Sequence, residues 1–246
     1  MALKAAPADQ ALLLELQEHD TRLAQLAHRA KTLPQIAELA TLEKQTDAAR
    51  RVLAAETGAL EDIGLELSRL ESDVAVVEAR MTRDEQRLQA STSVKDVSAL
   101  EQELTSLRKR RDDLEEIELS VMERQEAQQS VRDAAATALT DLDVRRGELE
   151  AARDDALTAL EGDRRVAEAG RSSVQAKVPA DLLALYEKQR TRYGTGASLL
   201  RGGVSEASGV ALLADEMQTI RKAAPDDVLL CPSSEGILVR TNESGL

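Results

Sequence analysis

The chain has 246 residues, of which 31% are charged, a formal net charge of −13, and two tyrosines as its only aromatic residues. Abundant Ala, Leu, Glu, Arg and Gln are typical of long helices and coiled coils. Without Phe or Trp, a β-sandwich, a large α/β barrel or an aromatic-lined substrate pocket is not expected. The net negative charge of the chain opposes binding to nucleic acid or to an anionic membrane except at a local basic patch.

Three further features of the sequence indicate the cellular compartment of the protein. The single cysteine cannot form an internal disulfide and suits a reducing environment. The first ten residues lack the basic and then apolar pattern of a signal peptide. No apolar run approaches the roughly 18 residues that a membrane span needs. We therefore predict a cytoplasmic protein without a membrane partner.

The first predicted helix ends at a proline. Apolar residues between Leu12 and Leu33 recur at spacings of four and three, which places them on one helical stripe. We interpret His19, within that stripe, as a partly buried residue that helps to fix register, with a pH switch or a ligand as the alternative. We expect His28 on the solvent side. Pro34 predicts a break between two helices, and a kink in one continuous helix is the alternative.

The next two helices are predicted to form an antiparallel coiled coil. From Leu53 to Leu88 apolar residues recur every seven positions, and Ile63, Leu70 and Val77 occupy the complementary positions. Such a pattern keeps one seam facing a partner helix. The hydroxyl residues 91–93 then interrupt the pattern and predict a turn with a helix cap. A third helix follows to about Gly170, and because the connection is short the two helices must run antiparallel.

The composition changes after Gly170, where glycine becomes frequent and requires turns. Pro179 begins a short helical stretch. Two apolar runs, residues 228–230 and 237–239, flank a turn that contains Cys231 and predict a β-hairpin. We therefore predict a helical hairpin domain over residues 1–175 and a small mixed module over residues 176–246.

Together these features resemble a bacterial family in which a long antiparallel coiled-coil hairpin carries a C-terminal four-cysteine zinc ribbon. The resemblance covers the whole chain in architecture and is most specific in the tail. The residues that carry it are Pro179 to Tyr193, Leu200-Arg201-Gly202-Gly203, Ile220-Arg221-Lys222, Asp226-Asp227-Val228 and Cys231 through Arg240. It implies a mainly α fold, a helical hairpin with a small zinc-ribbon-like module. It also implies an adaptor role, since relatives are linked to alternative sigma factors, secretion components or messenger RNA.

The family pattern places its four metal ligands at Ser205, Ser208, Cys231 and Ser234 of this chain. Structural zinc requires four thiolate or imidazole ligands in tetrahedral geometry, and serine hydroxyls are neutral and hard. Neither histidine has ligand spacing to Cys231. We therefore predict a degenerate ribbon with no tight zinc site and no other cofactor. Such a module must be held by docking onto the coiled coil or by packing of its own apolar residues Leu199, Leu200, Ile220 and Leu230, or else it is partly mobile.

A group of basic residues in the tail is a candidate contact for nucleic acid or for an acidic partner. Residues 176–246 carry a net charge of −1 and the rest of the chain carries −12. Ordinary surface charge, with a tyrosine packing at the junction, is the alternative interpretation. The members of this group are Lys188, Arg190, Arg192, Arg201, Arg221, Lys222 and Arg240.

No enzymatic motif is present in the sequence. It contains no Gly-rich phosphate loop and no H-E-x-x-H, and Cys231 has no histidine nearby in sequence to act as its base. We predict a non-enzymatic adaptor or scaffold that binds protein partners through its coiled-coil arm. The alternative is a regulatory protein that binds RNA or DNA through its tail. The sequence leaves open the identity of the partner and the oligomeric state.

Overall fold

The computed structural model of the chain describes residues 3–246, which form five helices and five short strands. The helices are α1 (Pro7–Lys31), α2 (Pro34–Ala90), α3 (Val94–Gln175), α4 (Ala180–Tyr193) and α5 (Ala214–Lys222). The strands are β1 (Ala197–Arg201), β2 (Val204–Ser205), β3 (Val210–Ala211), β4 (Leu229–Leu230) and β5 (Ile237–Val239). Contacts divide the chain into two compact units: residues up to Pro34 with Ala152–Leu246, and Gln35–Ala151. Within the described residues, no helix is long and apolar enough to cross a membrane.

Proline and hydroxyl residues set the helix ends. The backbone N–H of Thr32 donates to the carbonyl of His28 at 3.1 Å and ends α1. Because Pro34 begins α2, its missing N–H costs no hydrogen bond. The predicted break at Pro34 is confirmed. α3 starts directly after Ser93, whose Oγ accepts the Asp96 N–H at 3.5 Å, and it continues beyond the predicted end near Gly170.

In the unit formed by Gln35–Ala151, α2 and α3 pack side by side and antiparallel. The Nε2 of Gln128 donates to the carbonyl oxygen of Glu56 at 3.2 Å and to its Oε2 at 2.6 Å. Nearer the turn between the helices, Arg80 pairs with Glu103. The predicted coiled-coil hairpin is therefore confirmed. Its buried apolar residues are Leu42, Met81, Leu104, Leu114 and Val121.

In the other unit, the five strands form one small sheet of order β3-β2-β1-β5-β4. β4 and β5 pair antiparallel, as the apolar runs predicted. β1 pairs parallel with β5, with Ala197 opposite Ile237, and this parallel pairing has no counterpart in the sequence prediction. The segment before α1 pairs with the residues just before β4: the Ala5 N–H donates to the Asp226 carbonyl at 2.8 Å, and Lys4 and Asp227 form an isolated antiparallel bridge. The module is thus a small curled sheet, and its expected zinc-ribbon character is not shown.

α1 shares a hydrophobic core with the tail. Leu13 and Leu16 pack in one cluster with Tyr186 and Val239, all of them without exposed surface. A second, smaller cluster contains Leu200, Ile220, Cys231 and Leu238. The compact units therefore divide the chain differently from the 1–175 and 176–246 domains of the sequence analysis, since the apolar stripe of α1 is buried against α4 and the sheet.

Candidate functional site

The turn that carries Cys231 is a tight backbone loop between β4 and β5. The Cys231 N–H donates to the Gly236 carbonyl, and the Glu235 N–H donates to the Cys231 carbonyl, each at 2.8 Å. Glu235 has a φ of 58°, in the left-handed region that residues other than glycine rarely adopt. The fold of this loop brings the backbone amides of Ser233 and Ser234 to the Cys231 thiol.

Hydroxyls and amides surround the buried Cys231 thiol. Burial alone raises the pKa of this thiol. The hydroxyls of Ser205 and Ser234 and the amides of Ser234 and Ser233 lower its pKa more strongly, so the net shift is downward. Cys231 is nevertheless 0% exposed, which shields the thiol from reagents in solvent.

The structure brings together three of the four candidate metal-ligand positions. Ser205, fully buried, lies beside the thiol, and its Oγ is 3.1 Å from the Oγ of Ser198. The Ser234 Oγ is buried and has no oxygen or nitrogen partner. The fourth position, Ser208, lies in the turn after β2, where its Oγ accepts the Val210 N–H at 3.3 Å.

This donor set does not fit zinc, because one thiol and three neutral hydroxyls cannot supply the four soft ligands of a structural site. Within residues 3–246, no three His, Cys, Asp or Glu side chains come together as metal ligands. The Ser205 hydroxyl is already engaged with Ser198. The loss of the zinc site therefore stays a prediction, which metal analysis can test.

We expect no stoichiometric zinc in the purified protein and no shift of its urea midpoint on adding EDTA, since a structural zinc site would contribute about 10 kcal/mol or more to folding. Mass spectrometry of the metal content and tyrosine fluorescence would measure these two quantities. The triple variant Ser205→Cys, Ser208→Cys and Ser234→Cys provides the positive control and should take up zinc. Stoichiometric zinc in the unaltered protein would contradict the prediction.

The seven basic residues of the tail are distributed over several elements, and some of them have partners within the chain. Arg240 donates to main-chain carbonyls after α5, including those of Ala224 at 2.7 Å and Asp227 at 2.8 Å. Arg201, at the end of β1, pairs with Glu206 at 3.2 Å and Glu243 at 3.0 Å. Arg240 therefore stabilises the loop between α5 and β4, and neighbouring carboxylates balance the charge of Arg201.

The other five lie on α4 and α5. The guanidinium of Arg192 lies 5.2 Å from the centre of the Tyr193 ring, a cation–π arrangement. Arg190 pairs with Glu187, its Nη2 lying 2.8 Å from the carboxylate. Lys188 is on α4, and Arg221 and Lys222 form the last turn of α5. Arg221 and Arg240 line one open cavity of about 370 Å³.

A buried polar cluster joins α1, α3 and α4; we call it the Asp20 cluster, formed by Asp20, Arg171, Tyr186, Glu187 and Arg190. Asp20 is 8% exposed. Its carboxylate accepts from the Nε of Arg171 at 2.7 Å and from the Tyr186 hydroxyl at 2.7 Å. Arg190 lies 3.4 Å from the same carboxylate, and Arg171 also binds Glu187. Two cations and two carboxylates thus balance each other, with Asp20 and Arg171 in the interior and Glu187 and Arg190 partly exposed.

The electrostatics of the Asp20 cluster follow from this arrangement. The hydrogen bond to Asp20 raises the pKa of Arg171 above its ordinary value, and Glu187 adds to the effect. Burial raises the pKa of Tyr186, and its hydrogen bond to Asp20 raises it further. Both groups therefore keep their protons at neutral pH. The cluster provides no free acid or base and acts as a structural clamp.

The sequence pattern does not predict the Asp20 cluster, although one signal for it is present. The buried positions of α1 include Leu13, Leu16 and Asp20, spaced three and four residues apart. This stripe is rotated relative to the one predicted through His19. A carboxylate on the buried stripe of a helix requires a cationic partner.

His19 lies against the backbone of α3. A Cβ atom built at Gly170 would be 2.4 Å from the His19 Cε1 and 2.8 Å from its Nε2. Only glycine accommodates the imidazole at this distance. His19 is half-buried, whereas His28 is exposed near the end of α1.

An open groove of about 860 Å³ lies between α1 and β1. His19 and Arg22 line it from α1, and Ser198 and Leu199 line it from β1. Arg22 also pairs with Asp163 at 3.4 Å. Arg22 and Ser198 of the groove thus bind other parts of the chain.

These elements define a coiled-coil hairpin protein with a small C-terminal sheet. Residues 16–194 match the family described as the CT398-like coiled coil hairpin domain. The chain belongs to this family. Because the match ends before β1, it covers the helical part of the predicted resemblance and does not extend to a zinc ribbon.

Similar proteins span nearly the whole chain. The uncharacterised protein Rv2229c of Mycobacterium tuberculosis is 35% identical over 239 residues, which cover 97% of this chain and 98% of that protein. A solved structure from Mycobacterium smegmatis is 35% identical with a TM-score of 0.87, and the match covers 97% of this chain and 100% of that one. The structure of CT398 from Chlamydia trachomatis is 18% identical with a TM-score of 0.64. The match covers 95% of this chain and 99% of that one and shows a shared fold.

Proposed function

We propose that the protein is a non-enzymatic adaptor that binds protein partners through its coiled-coil hairpin. The observation that carries this proposal is the low burial of the hairpin, in which only seven side chains between Gln35 and Ala151 are buried. Several large apolar side chains of α2 and α3 are more than 40% exposed in the same unit: Val52, Leu65, Val76, Ile117, Leu119, Met122, Val131 and Val144.

Two packed helices bury one seam, and their remaining apolar side chains stay available to a third helix. Partner helices recognise such surfaces by laying apolar residues and flanking charges against them. Leu65 of α2 and Met122 of α3 lie at neighbouring levels of the hairpin, since Glu66 pairs with Arg124 at 3.3 Å. The middle of the hairpin therefore offers apolar side chains from both helices.

The tail gives less support to nucleic-acid binding. Carboxylates or carbonyls of the chain itself engage Arg190, Arg201 and Arg240. Polyanion binding needs cations that are free to contact phosphates. The adaptor proposal places the partner on the hairpin instead.

We expect the tagged full-length chain to capture proteins stoichiometrically from its native cell, and nuclease treatment should leave them bound. The hairpin variant Leu65→Glu, Leu119→Glu and Met122→Glu should lose these proteins, because it places charges on the exposed apolar surface. Quantitative mass spectrometry of the captured proteins gives the measurement, with far-UV circular dichroism to check that the helices are intact.

The matched control is Val166→Glu, Val210→Glu and Leu213→Glu, which changes three apolar residues of the other unit that are each more than half exposed. It should retain the captured proteins. Enrichment of RNA, or loss of every captured protein on nuclease treatment, would refute the adaptor function and favour the tail as the binding region.

A further inference from the structure

Charge is distributed unevenly along the hairpin. We call residues 80–111 the hairpin tip and residues 35–79 with 112–151 the hairpin shaft. The tip contains eight basic and five acidic residues, a net charge of +3. The shaft contains eight basic and 22 acidic residues, a net charge of −14. The tip is therefore a cationic region of an acidic chain.

Ion pairs within the tip engage three of its five acidic residues and three of its eight basic residues. Glu85 pairs with Arg108 at 3.6 Å, Asp84 pairs with Arg87 at 3.5 Å, and Glu103 binds Arg80. Two acidic residues of the tip and four basic ones make no ion pair in the described part of the chain. These four, all exposed, are Arg83, Lys95, Lys109 and Arg110.

The two helices present the tip as one surface. The turn joins α2 to α3, and two ion pairs bridge these helices next to it: Arg80 with Glu103 and Glu85 with Arg108. Val94, in the first position of α3, is 86% exposed. A groove of about 480 Å³ lies beside the turn and is lined by apolar, hydroxyl and charged residues: Arg87, Ala90, Ser91, Asp96, Ala99, Leu100 and Glu103.

The extent of the tip limits the kind of partner. Its 18 residues of α3 span about 27 Å at 1.5 Å per residue. Fields of exposed charges decay over about 8 Å at physiological ionic strength, so tip and shaft act as separate electrostatic surfaces. A nucleic acid that lies along the hairpin past the tip meets the acidic shaft, whereas a short acidic protein segment does not.

We propose that the hairpin tip binds an acidic segment of a partner protein, with Val94 and the four cations that make no ion pair as contacts; of these four, Arg83 also donates to the Ala79 carbonyl at 3.2 Å. This inference rests on the proposed adaptor function and adds a second contact, at the tip, together with the charge of the partner segment that binds there. The cations steer the acidic segment to the tip and select against basic partners. The groove beside the turn receives apolar side chains of the same segment.

The test measures binding of a fluorescein-labelled acidic amphipathic peptide, rich in Glu and Leu, to the full-length chain by fluorescence anisotropy. The tip variant Arg83→Gln, Lys95→Gln, Lys109→Gln and Arg110→Gln should weaken binding about tenfold or more. The shaft variant Lys44→Gln, Arg51→Gln, Arg69→Gln and Arg145→Gln removes the same charge from exposed residues without ion pairs and should change affinity by less than about twofold.

Equal effects of the two variants, or no peptide binding by the unaltered chain, would overturn the inference. Tip-dependent binding of an oligonucleotide or of phosphatidylserine vesicles that is tighter than peptide binding would also overturn it. So would a concentration-dependent dimer, measured by light scattering, that the tip variant abolishes, because the occupant would then be a second copy of this chain.

The inference and the adaptor function can fail separately. If the tip variant keeps every protein that the full-length chain captures, while the Leu65, Leu119 and Met122 variant loses them, the adaptor function stands and the tip inference is wrong. If neither variant affects the captured proteins, both are wrong. Loss of the proteins in the tip variant alone supports the tip as the binding surface.

Discussion

Asp20→Ala is expected to destabilise the unit that contains the tail by about 3 kcal/mol, since removing one partner of a buried ion pair leaves its counter-charge uncompensated. The side chain of Arg171 is 17% exposed and would lose two of its hydrogen bonds. Tyr186, which is fully buried, would lose its 2.7 Å acceptor. The contact from Glu187 to Arg171 remains and limits the loss.

Urea unfolding followed by tyrosine fluorescence measures this change selectively. Tyr186 and Tyr193 are the only aromatic residues and both belong to this unit. The control is Asp163→Ala, which removes an ion pair with Arg22 in which both side chains are about half exposed. That variant should cost less than about 1 kcal/mol. If Asp20→Ala cost no more than Asp163→Ala, the Asp20 cluster would not be the clamp described here.

Gly170→Ala is expected to destabilise the same unit by about 1–3 kcal/mol, which is the usual cost of overpacking a close contact. In an exposed helix position the same change would instead stabilise by up to about 1 kcal/mol. At Gly170 the change in stability has the opposite sign because the new Cβ would lie 2.4 Å from the His19 ring. The half-buried imidazole would have to leave its place against α3.

Gly162→Ala is the matched control, because Gly162 lies in the same helix with no atom within 4 Å of the added Cβ. Gly162→Ala should raise the urea midpoint, whereas Gly170→Ala should lower it. The double variant His19→Ala and Gly170→Ala should recover part of the loss, since the clash requires both side chains. Equal midpoints for Gly162→Ala and Gly170→Ala would show that His19 moves away at no cost.

Much of the helical architecture follows from local rules. The heptad spacing from Leu53 to Leu88 requires a partner helix, and the short turn at residues 91–93 requires that partner to be the next segment in antiparallel orientation. Pro34 predicts a helix end through its missing N–H and its ring. These properties depend on neighbours in sequence, and the observed helix boundaries confirm them.

The candidate sites were less predictable. The resemblance placed Ser205, Cys231 and Ser234 near one another, and the structure does so. It also placed Ser208 in that group, and the Ser208 hydroxyl accepts the Val210 N–H. Arg240 appeared in the sequence as a surface cation, yet it satisfies a series of main-chain carbonyls. Spacing along a chain does not reveal which carbonyls a long side chain will reach.

The sequence by itself determined the coiled-coil hairpin, since apolar periodicity, turn residues and proline act over a few residues. Only the tertiary structure decided that α1 belongs with the tail, that β1 pairs parallel with β5, and that Asp20 is buried among arginines. These features join residues up to about 220 positions apart, such as Lys4 and Asp226. They depend on which apolar surfaces are buried together, and a local sequence pattern does not specify which distant surface will be the partner.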